Sequence, residues 1–215
     1  MPAKQHWQVL EMLVLAMALA YFLLYPRDTI SDFLVCTSLC LAILASKPFI
    51  NLPRPATSKT LTRLDFLLLV ISLGAYSLAW YYAEQEQKIS RERLVESLLV
   101  TALYVYYAWF QHFLAQAYTA VRIHQWVRKY PGFEKLSQEM KAAALTGSVF
   151  GVLHIPYPDL IIPATLGGTA YAYYFLKTGR LWAVVLSHAL IASAWLYWGM
   201  DSNAFEEFTV IFPEQ

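Results

Sequence analysis

The stretch Tyr104-Val-Tyr-Tyr-Ala-Trp-Phe-Gln111-His112-Phe-Leu-Ala-Gln116-Ala-Tyr-Thr-Ala-Val-Arg122 decides how the chain is read. It is apolar and has helical period, yet Gln111, His112 and Gln116 lie near its middle. On an α-helix His112 and Gln116, four residues apart, share a face. Gln111 points about 100° round from His112 on the same cylinder. An apolar helix gains nothing from such side chains unless polar groups meet them, because an unpaired buried amide costs about 1–3 kcal/mol. Partners are therefore expected elsewhere in the chain.

Outward from this stretch the sequence stays apolar. Of its 215 residues 58% are hydrophobic and 14% charged, where a soluble domain carries about 25% charged residues. The apolar residues come in runs near the length, about 20, that crosses a bilayer as helix. The expected fold is an all-α, polytopic transmembrane helix bundle of seven spans, at residues 7–24, 31–50, 64–83, 94–122, 142–155, 160–176 and 181–199. The first exceeds a secretory h-region and no Ala-x-Ala-like site follows it, so it is expected to be retained. Residues 51–63, with Pro53, Pro55, Thr57 and Ser58, read as a loop. Residues 124–141 mix Trp126, Tyr130 and Phe133 with Arg128, Lys129, Lys135 and Lys141, a composition suited to the headgroup region. Gly167-Gly168 allows a close helix approach.

With seven spans, one side collects Lys4, Lys47, Arg54, Lys59, Arg63, Arg122, Arg128, Lys129, Lys135, Lys141, Lys177 and Arg180. The other holds Arg27, Lys88, Arg91 and Arg93 and most of the carboxylates. The positive-inside rule then puts the N-terminus in the cytoplasm and the C-terminus outside. Membrane lipid is the expected surrounding, and no nucleic-acid partner or cofactor is expected. Cys36 and Cys40 share a helical face, with backbones poorly placed for a disulfide, and read as packing residues.

Two further histidines sit in apolar spans: His154, four residues after Phe150, and His188 in Leu186-Ser-His188-Ala-Leu. Ionisable side chains at such depth are costly and usually face a bundle interior, which makes each a candidate functional residue. Alone, His112 or His154 reads equally well as a hydrogen-bonded packing residue. Three such histidines with Gln111 and Gln116, on three helices, predict one converging polar site.

These residues resemble a known family. Phe150-x-x-x-His154 is similar to the second motif of the CAAX-protease and bacteriocin-processing intramembrane proteases, the Rce1-like, glutamic-type family. Leu166 to Leu190, with its Thr178-Gly-Arg-Leu-Trp182 turn before His188, resembles the region of the third motif. Gln111-His112-Phe-Leu-Ala-Gln116 occupies the place and spacing of the first, Glu-Glu-x-x-x-Arg. The resemblance covers residues 94–195. It implies an Rce1-like four-helix core over 94–200, which the span reading flanks with three N-terminal helices and their loops over 1–93 and an acidic tail over 201–215. It also implies a prokaryotic plasma membrane and a membrane-associated peptide or protein substrate.

The departures from the motif bear on chemistry. In the family the first Glu acts as general base on a water and the histidines stabilise the oxyanion. Gln111 has no carboxylate and takes no proton from water. His112 stands for the second Glu, Gln116 for the Arg, and Ala192 where an Asn is usual. The expected function is an intramembrane endopeptidase with Gln111, His112, His154 and His188 as catalytic residues. Either His112 or His154 would be the base, with His188 and Gln111 on the oxyanion. Gln116 and Phe150 are expected against the substrate. Two alternatives stay open: an inactive relative that binds a membrane peptide or lipidated segment, and a metal site formed by the three histidines.

Overall fold

The computed structural model describes residues 21, 29–45, 63–86, 88–129, 136–155 and 158–199, with side chains described from residue 34 within the second of these ranges. The expected span at 7–24 apart from Tyr21, the loop at 51–62, the middle of the expected headgroup segment and the tail from residue 200 lie outside them. Every regular element among the described residues is helical: α1 (Thr29–Ala45), α2 (Arg63–Gln85), α3 (Arg91–His112), α4 (Val121–Lys129), α5 (Gln138–Val152), α6 (Pro158–Thr178) and α7 (Leu181–Ala194). Two π-helical segments, Phe113–Ala120 and Trp195–Gly199, continue α3 and α7. Among the described residues three continuous helices are long and apolar enough to cross a membrane, Arg63–Gln85, Arg91–Lys129 and Leu181–Gly199. Leu34–Leu44 is a shorter apolar helix. The chain is an all-α integral membrane protein.

Residue contacts divide it into two compact units, Ala56–Phe113 with Thr178–Gln215, and Met1–Pro55 with Leu114–Lys177. In the first of these, α7 packs against both α3 and α2. Its partners on α3 run in reverse order: the Tyr197 hydroxyl donates to Glu96 (2.6 Å), the Ser193 and Thr101 hydroxyls meet at 3.0 Å, and His188 meets His112. The two helices are therefore antiparallel. On α2 the order is direct, Asp65 with Arg180 and then Ser72 with Ser187, so that α2 and α7 run parallel. Only a narrow stripe of α2 is buried, at Ser72, Ala79 and Ala83. Phe66, Leu67, Leu69, Val70, Ile71, Leu73 and Leu78 are exposed on its remaining surface. An apolar helix with so little buried surface suits lipid rather than water on its open side.

Helix α3 begins where Ser90 accepts from the Arg93 N–H, an N-cap that meets one of the unbonded amides of the first turn. Helix α7 follows Thr178-Gly179-Arg180, the turn expected from sequence. Gly179 has φ 69°, a left-handed conformation open to glycine. The Thr178 hydroxyl accepts from the Arg180 N–H at 3.3 Å. At the far end Arg93 lies over the rings of Tyr197 (5.1 Å) and Trp198 (5.4 Å), and Trp80 meets Trp198 edge-on at 5.8 Å.

In the second unit α5 and α6 approach at glycines. A Cβ on Gly147 would collide with the Thr169 hydroxyl and come within 2.5 Å of the Thr165 carbonyl. One on Gly168 would press the Phe150 side chain at 3.0 Å. Of the expected pair, Gly168 makes the close approach, while Gly167 faces only a distant Tyr171. Ala120, Ala143 and Ala172 form a single buried cluster from three helical segments. Cys36 and Cys40 are buried and free of disulfide.

Candidate functional site

Each motif residue is placed by its helix. His112 is the last α-helical residue of α3, fully buried, and the backbone passes into the π-helical segment directly after it. The sequence predicts α-helix throughout 94–122, but residues 113–120 bond one residue further back than an α-helix does. His112 and Gln116, four residues apart across this junction, stand close to one turn apart under either bonding scheme. Over so short a stretch an apolar pattern does not separate the two bonding schemes. Gln116, inside the π segment, is fully buried.

The structure brings two of the predicted residues into direct contact. His112 Nε2 and His188 Nδ1 are 2.7 Å apart, a hydrogen bond with one N–H between the rings. The rings meet edge-to-face with centroids 4.7 Å apart. Tyr104, two helical turns before His112 on α3, stacks on His188 at 6.2 Å and 24°. His188 is half-buried, with its neighbour Ser187 buried against α2. Gln111 is half-buried beside His112 on α3, and its amide oxygen is buried with no hydrogen-bond partner among the described residues. Such a group costs about 1–3 kcal/mol.

Gln116, Phe150 and His154 belong to the other unit. The expected span at 142–155 is α-helical only to Val152, and His154 lies in the turn that follows. Its backbone N–H donates to the Gly151 carbonyl at 2.9 Å. Its ring Nδ1 lies 2.8 Å from the Phe150 carbonyl oxygen. A carbonyl only accepts, so Nδ1 carries the proton and the neutral ring keeps its lone pair on Nε2. The Phe150 ring lies 5.0 Å from that of His154 and is nearly buried against Gly168. The Phe-x-x-x-His spacing thus supplies both a carbonyl and a ring to one histidine.

Several contributors escaped the sequence reading. Gly147 and Gly151 form a small-x-x-x-small pair that lets α5 lie on α6, and the Cβ that each lacks would meet Thr169 or Thr165. The Gly-x-x-x-Gly spacing was the available signal. Asp65, Ser72 and Tyr104, which bear on α7, carry no motif at all. Among the described residues no three His, Cys, Asp or Glu side chains are grouped as they would be around a metal ion.

The family model described as Type II CAAX prenyl endopeptidase Rce1-like matches residues 3–194. The match takes in nearly all of the residues before the three motifs as well as the motifs themselves. No curated protein and no solved structure matches the chain.

Proposed function

From the premise that the chain belongs to the Rce1-like family of type II CAAX prenyl endopeptidases, we propose that it is an intramembrane endopeptidase that cleaves a membrane-associated peptide or protein by activating a water. The observation that carries this reading is the fixed tautomer of His154. With Nδ1–H held by the Phe150 carbonyl, Nε2 of the neutral ring presents the lone pair that a general base needs. It takes a proton from water as the oxygen attacks the scissile carbonyl carbon, and returns it to the leaving amine as the C–N bond breaks. A ring N–H of His188 and the amide of Gln111 serve the developing oxyanion. Phe150 acts through its carbonyl, and Gln116 is assigned to the substrate on motif position alone. The roles are assigned on motif position as well as on local bonding.

Gln111 favours a second reading, a relative that binds a membrane peptide or lipidated segment without cutting it, because the family's first motif has a carboxylate there. The test uses purified protein, a matched peptide, and parallel runs with and without chelator. A peptidase cleaves the peptide and loses activity in His154→Ala. If nothing is cleaved until Gln111→Glu is introduced, the parent is a binder. Loss of activity on chelation would assign the histidines to a metal.

Sorting of basic residues supports a seven-span arrangement with the N-terminus in the cytoplasm and the C-terminus outside. A reporter fused after Gln215 then reads as extracytoplasmic and one within residues 51–63 as cytoplasmic. The same side for both would mean a different number of spans.

A further inference from the structure

We infer that α2, which carries none of the motif residues, sets the register and rotation of α7, so that Asp65 and Ser72 are positioning residues for His188. This inference rests on the reading of His188 as a working residue of the proposed peptidase. The carboxylate of Asp65 pairs with the guanidinium of Arg180, and both side chains are largely buried, at 8% and 19% exposure. The Ser72 and Ser187 hydroxyls meet at 2.7 Å in a buried contact. Ser72 also donates to the Leu68 carbonyl at 2.7 Å. Ala79 and Ala194 lie together in a buried cluster further along the same two helices.

These partners recur with one spacing. Asp65, Ser72 and Ala79 are seven residues apart on α2, and Arg180, Ser187 and Ala194 are seven apart on α7. A seven-residue repeat is what keeps one seam of two parallel helices in contact over successive turns. Small residues at the seam allow close approach, and polar ones specify register, because a slipped helix would leave a buried carboxylate, guanidinium or hydroxyl unmet. Helix α7 starts after left-handed Gly179, where Thr178 meets the Arg180 N–H. The Asp65–Arg180 pair ties this start to α2.

Rotation follows from register. Successive helical residues point about 100° apart. With Ser187 turned to α2, His188 is turned to α3, where it meets His112 and Tyr104. Rotating α7 by one residue would remove His188 from both.

The experiment uses the full chain in lipid nanodiscs with ¹⁵N-labelled histidine. His112→Ala supplies the ring spectrum of His188 without its partner. Asp65→Asn and Ser72→Ala are each expected to move the His188 ring signals toward that reference. In the peptide assay they lower kcat by about tenfold, as small misplacements of a reacting group do. KM should stay within about twofold, since substrate binding is not what they alter. The exchanged pair, Asp65→Arg with Arg180→Asp, should return both readouts toward the parent. Ring signals and kcat at parental values, with only a lower melting temperature, would make α2 a plain strut and overturn the inference. So would an Asp65→Asn protein that fails to fold while Ser72→Ala leaves the rings unchanged. The ring spectrum needs no substrate. A parent that cleaves nothing would defeat the peptidase reading, and the spectrum would still decide this one.

Discussion

His154 and His188 are both histidines of apolar segments, but their hydrogen bonds define them differently. The partner of His154 Nδ1 is a carbonyl oxygen, which accepts only, so one neutral tautomer is left and Nε2 is free of a proton. The partner of His188 Nδ1 is another imidazole nitrogen, which donates or accepts. Two tautomeric arrangements satisfy that pair, and the proton between the rings belongs to both. The difference teaches that an imidazole's role comes from what it is bonded to and not from its place in a motif. A ring with a fixed lone pair suits a base. A ring whose tautomer depends on a second histidine suits a donor that the second histidine tunes.

The largest expected effect is at the fixed ring. His154→Ala should lower kcat/KM by about 10²–10⁴-fold, the usual contribution of a positioned general base. Activity of the parent should rise with pH as the imidazole loses its proton and becomes able to accept one. A pH profile that stays flat while His154→Ala is inactive would separate the residue from the base role. If His154→Ala cleaves as fast as the parent, the contrast drawn above has no catalytic meaning.

His112→Ala comes next, with a smaller expected loss, on the order of tenfold to a hundredfold. It removes the ring that shares a proton with His188 but leaves both the proposed base and the proposed donor ring in place. Equal losses in His112→Ala and His154→Ala would place the base at His112 instead. Gln111→Ala should cost less than His154→Ala, because it removes one of two groups proposed for the oxyanion and leaves the proposed base in place. Gln111→Glu installs a carboxylate beside His112 and should change the shape of the pH profile. An unchanged profile would mean that the Gln111 side chain faces away from the reacting water.

Much of this was legible in the chain. Apolar runs of bilayer length give α2 and α7 with little ambiguity, and Thr178-Gly-Arg180 marks the start of α7 because a left-handed turn favours glycine there. The contact of His112 with His188 follows from the same physics as the first expectation, that polar groups in an apolar helix need partners. What the sequence hides is bonding that does not alter the hydrophobic pattern. The π-helical turn at 113–120 is one case, since burial recurs on one side under either scheme. The Asp65–Arg180 and Ser72–Ser187 pairs are another, because neither residue type nor separation in the chain announces them. The resemblance itself begins at residue 94, although the family match begins at residue 3. None of the three motifs that carry the resemblance lies before residue 94.

The smallest expected effect concerns an ion pair at a helix end, the opposite case from the buried pair on α2. Lys177 Nζ lies 3.1 Å from Glu139 Oε1, and the two side chains are 37% and 28% exposed. The carboxyl of Glu139 is held below its ordinary range, first by the backbone N–H at the start of α5 and then by Lys177, while slight burial acts the other way. A carboxylate whose folded pKa is depressed contributes stability that is present above its unfolded value, about 4.3. That contribution fades as pH falls through the folded value. A half-exposed pair of this kind is worth no more than about 1 kcal/mol and weakens with salt. Glu139→Gln should therefore lower the melting temperature by at most about 2–4 °C at neutral pH, and the gap from the parent should close as the pH is lowered below about 4. Asp65→Asn, measured beside it, should show the larger drop and less sensitivity to salt, because its partner is buried. Equal drops with equal salt dependence would mean that the α2 pair is as solvated as the one at the rim, and that burial does not distinguish the two regions.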